Sequence, residues 1–219
     1  MKESKMFYVT ESYTFEDSIK KSRFISVIFP CTSDQVVLHQ LKTLQAEHPH
    51  ANHIAFAYRI KTNEGIIYRF HDAGEPTGTA GKPIFQHLEG KNIINALIVV
   101  IRYFGGVKLG AGGLTRAYGQ LAKQVIETST LQPYIEVTTL HFTLDYERFQ
   151  SFDYALKKVN GQILEQVFAG QIHLTVTLPV EKQWDLESQF APDITRCMNK
   201  KLDAGVISNN RQDVAQRRQ

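Results

Sequence analysis

Cysteine is scarce and long apolar runs are missing, and each absence excludes a class of protein. The two cysteines among 219 residues, Cys31 and Cys197, are too far apart for a CxxC motif and too few for a disulfide framework. The longest apolar run, Ala96 to Ile101, spans six residues, whereas a membrane helix needs about 20. No apolar segment of a secretory signal follows Met1. We therefore expect a soluble, cytoplasmic protein with unreactive thiols and no membrane partner.

An excess of one charge sign is also nearly missing. The chain has 25 basic and 22 acidic residues, a formal net charge of +3, which is too small to indicate a nucleic-acid-binding protein by itself. Residues 1–134 carry 15 basic and 11 acidic groups, whereas residues 135–219 carry 10 and 11. The basic excess therefore lies in the first part. The chain is 42% hydrophobic and 21% charged, and its length allows two packed domains of about 100 residues each.

Glycine, in contrast, is plentiful and unevenly distributed. Of 14 glycines, 11 lie between Gly65 and Gly119. They are concentrated in a first glycine loop, residues 71–82, and a second glycine loop, residues 105–113. Each loop is predicted to lead from a strand into a helix.

Apolar periodicity predicts the elements around these loops. A capping box of Thr32 and Gln35 opens an amphipathic helix over 33–47. The apolar run Ala96–Ile101 predicts a central strand covered on both faces, and an apolar stripe predicts a helix over 113–127. Further predictions are strands at 23–29, 53–60 and 66–70, a short helix from Pro83 to about Leu88, and a linker from Thr128 to Pro133.

The residues after the predicted linker have a more regular apolar pattern. It predicts strand 136–145, helix 148–159, strand 162–168, strand 171–178, helix 180–190 and a last strand near 194–199. This βαββαβ order is that of a ferredoxin-like domain. We therefore predict an α+β protein with domains at 1–132 and 135–202, followed by a polar, disordered tail at 203–219.

The second glycine loop has the features of an anion site. A glycine-rich turn that leads from a strand into a helix exposes backbone N–H groups at the positive end of the helix dipole. The alternative, that these glycines only serve turns, stays open. The predicted ligand-binding or nucleic-acid-binding residues of the two loops and their flanks are Gly78, Gly81, Lys82, Arg102, Gly105, Gly106, Lys108, Gly110, Gly112, Gly113 and Arg116.

Other chemistries have less support. The first loop is not a phosphate-binding P-loop, because Pro76 and Pro83 stand where that motif needs glycine and a hydroxyl residue. The histidines of residues 48–53 lack the spacing of a metal site, so we predict no metal and no cofactor. Asp72 and Glu75 leave an unrecognised hydrolase open as an alternative, but no nucleophile motif accompanies them. We therefore predict no catalytic residue.

Four segments resemble the YigZ/IMPACT family. Asp72 to Pro83 resembles its DDGEPxGTAGxP segment, and Arg102 to Tyr118 is similar to its RYFGGxxLGxGGLxRAY signature. Lys21 to Ile25 and His48 to His53 resemble its KSRFI and HPxAxH segments. The resemblance extends over about residues 20–120 and identifies the first predicted domain as Impact-like.

The resemblance implies a fold and a cellular context. The two domains would be similar to the last two domains of elongation factor G, a domain IV-like α/β sandwich followed by a ferredoxin-like domain. Such folds suggest contact with RNA or the ribosome, and eukaryotic relatives regulate translation through a protein partner. We therefore expect a non-enzymatic, translation-related binder of RNA or a phosphate-bearing ligand, with a protein-interaction module of a stress-response regulator as the alternative. The oligomeric state stays open.

Overall fold

The computed structural model describes residues 5–193 and divides the chain into two compact units. Unit 1 ends at Tyr134 and unit 2 begins at Ile135. The predicted strand near 194–199 and the predicted tail at 203–219 lie outside the described residues. The predicted domain limits therefore stay predictions.

Unit 1 contains a five-stranded sheet in which every neighbouring pair is antiparallel. Five strands form this sheet: β2 (Tyr13–Ile19), β3 (Ser22–Pro30), β4 (His53–Thr62), β5 (Gly65–His71) and β6 (Ala96–Tyr103). Two short strands of unit 1 lie outside it, β1 (Phe7–Val9) and β7 (Leu131–Pro133). Its helices are α1 (Asp34–Glu47), α2 (Gly81–Gly90) and α3 (Ala111–Thr128). The sheet order is β2-β3-β6-β4-β5, so the predicted central strand β6 does lie in the middle.

The two faces of this sheet are covered by different helices. On one face, Ile98 and Val100 of β6 share a buried cluster with residues of α2 and α3 such as Leu121. On the other face, Leu97 and Val99 share a cluster with α1. Because β6 is buried on both faces, its sequence is continuously apolar rather than alternating.

Two details of unit 1 differ from the sequence prediction. The N-cap of α1 is Ser33, whose hydroxyl accepts a hydrogen bond from the amide of Val36, so the predicted Thr32 capping box is wrong. The predicted linker is also wrong: α3 continues to Thr128, and β7 then pairs with β1 in a small antiparallel sheet. A three-residue strand has too short a pattern to be detected from sequence.

Unit 2 follows the predicted order closely. Its elements are β8 (Val137–Leu144), α4 (Tyr146–Lys158), β9 (Gln162–Phe168), β10 (Ile172–Pro179) and α5 (Gln183–Phe190). The sheet order is β8-β10-β9, and both pairs are antiparallel. Asn160 ends α4 with a φ of 57°, and the Gly161 amide donates to the Leu156 carbonyl, which is the C-cap predicted from the Asn-Gly pair. The predicted α+β class is confirmed.

Candidate functional site

The first glycine loop is closed by one carboxylate. Asp72 follows β5, and its side chain accepts hydrogen bonds from the amides of Gly78 at 2.8 Å, Ala80 at 3.0 Å and Gly81 at 2.8 Å. Since α2 begins at Gly81, Asp72 occupies the position where an external anion would bind the helix N-terminus. Burial by itself would raise the pKa of Asp72, but the three amides outweigh it and lower that pKa below its ordinary value.

A buried ion pair connects the first loop to the central strand. The Arg102 guanidinium donates to Glu75 Oε1 at 2.7 Å, and the Tyr118 hydroxyl donates to the same oxygen at 2.7 Å. Arg102 and Glu75 are buried, and Tyr118 is fully enclosed. Burial and the hydrogen bond to Glu75 both raise the pKa of Tyr118, so its hydroxyl stays protonated and acts as a donor. The three residues lie on three different segments and hold the first loop, β6 and α3 together.

The start of the second glycine loop is equally well anchored. The Phe104 amide donates to Asn52 Oδ1 at 2.8 Å, and the Gly105 amide donates to the Ser22 hydroxyl at 3.3 Å. A Cβ atom on Gly105 would lie 1.9 Å from the carbonyl oxygen of Lys21, so no other residue fits there without moving the backbone. Glycine is thus required at position 105 because the backbone at Lys21 approaches it closely.

The rest of the second loop is open. Gly106 and Gly110 have positive φ angles of 83° and 71°, which explains the glycines there. Gly112 has neither a positive φ angle nor any atom within 4 Å of the place where its Cβ would lie. It is exposed in the first turn of α3, where glycine is destabilising by roughly 0.5–1 kcal/mol relative to alanine. The fold of the described residues gives no reason for glycine at this position.

The N-terminus of α3 is uncapped and flanked by basic residues. Its N-cap residue Gly110 has no side chain, and no acidic residue lies in its first turn. Arg116 donates from Nε to the Gly112 carbonyl at 3.2 Å, which holds its guanidinium against that turn. Lys108 is exposed and forms no ion pair within the described residues. Cations beside the positive end of a helix dipole are unfavourable unless an anion joins them.

The predicted binding residues therefore fall into three groups. The amides of Gly78 and Gly81 are used by Asp72, and the Arg102 side chain is used by Glu75. Gly105 is used for chain packing, and Lys82 is exposed on the first turn of α2. The group that surrounds the exposed start of α3 consists of Gly106, Lys108, Gly110, Gly112, Gly113 and Arg116.

Sequence reasoning did not assign roles to Ser22, Asn52 and Tyr118. Ser22 and Asn52 anchor the second loop, and Tyr118 supports Glu75. All three lie in the segments that resemble the family, so their position in those segments was the one sign in the sequence that they have a role. The histidine segment is likewise used in anchoring, since His48 Nδ1 lies 2.8 Å from the Tyr103 hydroxyl. Within residues 5–193 no cluster of three metal-ligating side chains was found.

Known proteins of one family are similar to this chain. A family model for the Impact N-terminal domain matches residues 20–126. An IMPACT family member from Haemophilus influenzae is 35% identical over 161 residues, which are 73% of this chain and 78% of that protein. The chain belongs to the IMPACT family.

Further IMPACT family relatives extend the match into unit 2. The Escherichia coli IMPACT family member YigZ is 31% identical over 179 residues, which are 81% of this chain and 88% of that protein. A crystal structure of a hypothetical protein is similar with a TM-score of 0.62 and 30% identity, covering 86% of this chain and 92% of that chain. The resemblance seen in the sequence is thereby confirmed. No helix in the described part of this IMPACT chain is long and apolar enough to span a membrane.

Proposed function

We propose that this protein is a cytoplasmic, non-enzymatic regulator related to translation, and that it binds RNA phosphates at the start of α3. The observation that supports this most directly is the uncapped first turn of α3, with an unexplained glycine at Gly112 and two exposed cations, Lys108 and Arg116. An RNA phosphate there would accept hydrogen bonds from the first amides of the helix and neutralise both cations. Glycine at position 112 would let the phosphate reach the backbone.

The family supports the translation-related part of this proposal. The resemblance to the family implies a role in the regulation of translation, and the predicted similarity to elongation factor G domains points to RNA or the ribosome as the partner. A phosphate-bearing small ligand would use the same amides and cations. The basic excess of residues 1–134 lies in the unit that carries this site.

The structure gives less support to the hydrolase alternative. Oε1 of Glu75 is held by Arg102 and Tyr118, and the Asp72 carboxylate is held by three amides. A general acid or base must be free to exchange a proton with a substrate, and these carboxylates are committed to partners within the fold.

A protein-interaction module remains the second candidate, favoured by edge strand β5. Ile67, Tyr68 and Phe70 are 43%, 55% and 41% exposed on this strand, which has no neighbour on its outer side among the described strands. Exposed apolar side chains on an edge strand are a feature of peptide-binding sheets. Binding of this kind should survive nuclease treatment and the substitution Lys108→Glu.

The proposal is tested by a salt titration of the affinity for ribosomes and for a structured RNA. The dissociation constant should rise steeply with salt concentration. Lys108→Glu should weaken binding and should lower the slope of log affinity against log salt concentration by about 1, the value for one phosphate contact. Lys42→Glu is the matched control, since it makes the same charge change on exposed α1 across the sheet from α3. Salt-independent binding, or equal effects of both variants, would contradict the proposal.

A further inference from the structure

A cavity of about 340 Å³ lies between α1, the start of β4 and the end of β5. Its walls combine apolar side chains, including Leu41, Ile54 and Phe56, with the polar side chains of Gln45, Asn52 and His71. Apart from the histidines, none of its described lining residues can carry a charge. A small cavity whose walls hold no carboxylate, lysine or arginine side chain suits a neutral ring that has hydrogen-bonding edges, whereas burying a phosphate group there would cost its hydration.

The backbone of Ala73 fixes the protonation pattern of two histidines in this wall. The Ala73 amide donates to Nδ1 of His71 at 3.0 Å, so the proton of a neutral His71 must be on Nε2. The Ala73 carbonyl oxygen lies 2.9 Å from Nδ1 of His53. Because a carbonyl oxygen only accepts hydrogen bonds, Nδ1 of His53 must carry the proton. Ala73 adopts a φ of 52°, an uncommon conformation for alanine. His71 therefore offers a fixed N–H donor at Nε2.

Flat rings follow one another along the same region. The rings of Tyr58 and Phe56 are stacked with an angle of 9° and centroids 6.4 Å apart. The rings of Phe56 and His71 are stacked with an angle of 21° and centroids 5.7 Å apart. Because Phe56 and His71 both line the cavity, a planar ligand could extend this row.

The cavity adjoins the second glycine loop through Asn52. Asn52 is one of the residues that line the cavity, and its Oδ1 accepts a hydrogen bond from the Phe104 amide at 2.8 Å. The backbone N–H of Asn52 donates to the Arg102 carbonyl at 2.9 Å. The Nδ2 group of Asn52 is then left without a hydrogen-bond partner among the described residues and is available as a second donor.

We propose that this cavity binds one unpaired nucleobase. The stacked rings would contact its flat face, and the N–H groups of His71 and Asn52 would donate to acceptors on its edge. This inference rests on the proposed RNA-binding function for its source of the base, but a free nucleotide has the same chemistry. The phosphates of either ligand would lie outside the cavity.

The test compares a short single-stranded RNA with an abasic oligonucleotide of the same length by fluorescence anisotropy. The full-length protein should bind the intact strand about tenfold more tightly than the abasic one. Ala51→Leu, which fills the cavity, and His71→Phe, which keeps a ring but removes the N–H donor, should reduce that difference. Ala169→Leu in the exposed β9–β10 turn is the control for added bulk, and Lys108→Glu should weaken both oligonucleotides alike.

Each outcome decides the inference. Equal affinity of the wild-type protein for both strands would overturn it, and so would a base preference that both cavity variants retain. If neither oligonucleotide binds, the proposed RNA-binding function fails. Titration of the four nucleoside monophosphates into ¹⁵N-labelled protein then tests whether the cavity binds the base of a free nucleotide. Shifts of the Asn52, Phe56 and Ala73 amides that Ala51→Leu removes would support a free nucleotide as ligand, and unchanged spectra would overturn the cavity proposal.

Discussion

The two glycine loops of unit 1 have similar compositions but opposite uses of their backbone amides. In the first loop, Asp72 accepts hydrogen bonds from three amides, two of them from glycines, and thereby closes the start of α2. In the second loop, only the beginning is anchored, and the start of α3 is exposed beside Lys108 and Arg116. A glycine-rich turn before a helix is therefore not enough to identify a binding site. What matters is whether the chain supplies its own anion.

The glycines themselves differ in the same way. Gly81 and Gly105 allow backbone segments to approach each other, because a Cβ atom would lie 2.6 Å from the His71 amide nitrogen in one case and 1.9 Å from the Lys21 carbonyl oxygen in the other. Gly112 has open space around it. Packing within the described residues explains Gly81 and Gly105 but not Gly112, for which contact with a ligand would be a reason.

The largest expected effect comes from breaking the buried ion pair that joins the first loop to the central strand β6. Glu75→Ala should lower the free energy of unfolding of unit 1 by about 3–5 kcal/mol, because Arg102 would be left buried without its counter-charge. Native-state hydrogen exchange with urea should show faster exchange in β6 and unchanged exchange in β10 of unit 2. Protection of β6 equal to that of the wild type would show that the pair does not stabilise this unit.

The glycine at the anchored start of the second loop should be the next most sensitive position. Gly105→Ala should cost about 2–3 kcal/mol, since the new methyl group would overlap the Lys21 carbonyl and force the backbone apart. The measurement is the urea midpoint followed by hydrogen exchange of β3 and β6. Gly106→Ala is a control with no such overlap, so its cost should reflect only its positive φ angle. Equal costs for both variants would contradict this assignment.

Removing the internal anion of the first loop should have a moderate effect. Asp72→Ala should cost about 1–2 kcal/mol, because the start of α2 loses its cap. The pKa of Asp72 is lowered in the folded chain, so its stabilisation is present above the unfolded-state value of about 3.9 and is lost as pH falls through the folded pKa. The difference in stability between wild type and variant should therefore be constant above about pH 5 and should shrink as the pH falls below that value. A difference that stays constant below that value as well would exclude the charge as its source.

The smallest expected change in stability comes from the open glycine. Gly112→Ala should stabilise unit 1 by up to about 1 kcal/mol, since alanine is the better helix former and meets no neighbouring atom. The same variant should weaken RNA binding if a phosphate approaches the backbone there. Thermal unfolding and RNA titration of one preparation measure both effects. A more stable variant with unchanged RNA affinity would place the contact elsewhere.

Much of the fold could be predicted because its patterns are local. The apolar run of β6, the stripe of α3 and the Asn160-Gly161 cap each depend on neighbouring residues. The paired strands β1 and β7 could not be predicted in this way, since they are three residues long and join opposite ends of unit 1. The choice of Ser33 over Thr32 as N-cap depends on where the first helical turn begins, which a sequence pattern locates only to within a residue or two.

The sequence by itself determined the family, the α+β class and the two glycine-rich segments, because these depend on residue types at short spacing. Only the tertiary structure decided which segment is open. The bonds that anchor the second loop join Phe104 to Asn52 across 52 positions and Gly105 to Ser22 across 83. Glu75 of the first loop is likewise joined to Arg102 across 27 positions and to Tyr118 across 43. A carboxylate can satisfy helix amides, pair with a guanidinium or face solvent with the same sequence around it. Which of these it does depends on the partners that folding brings within hydrogen-bond distance.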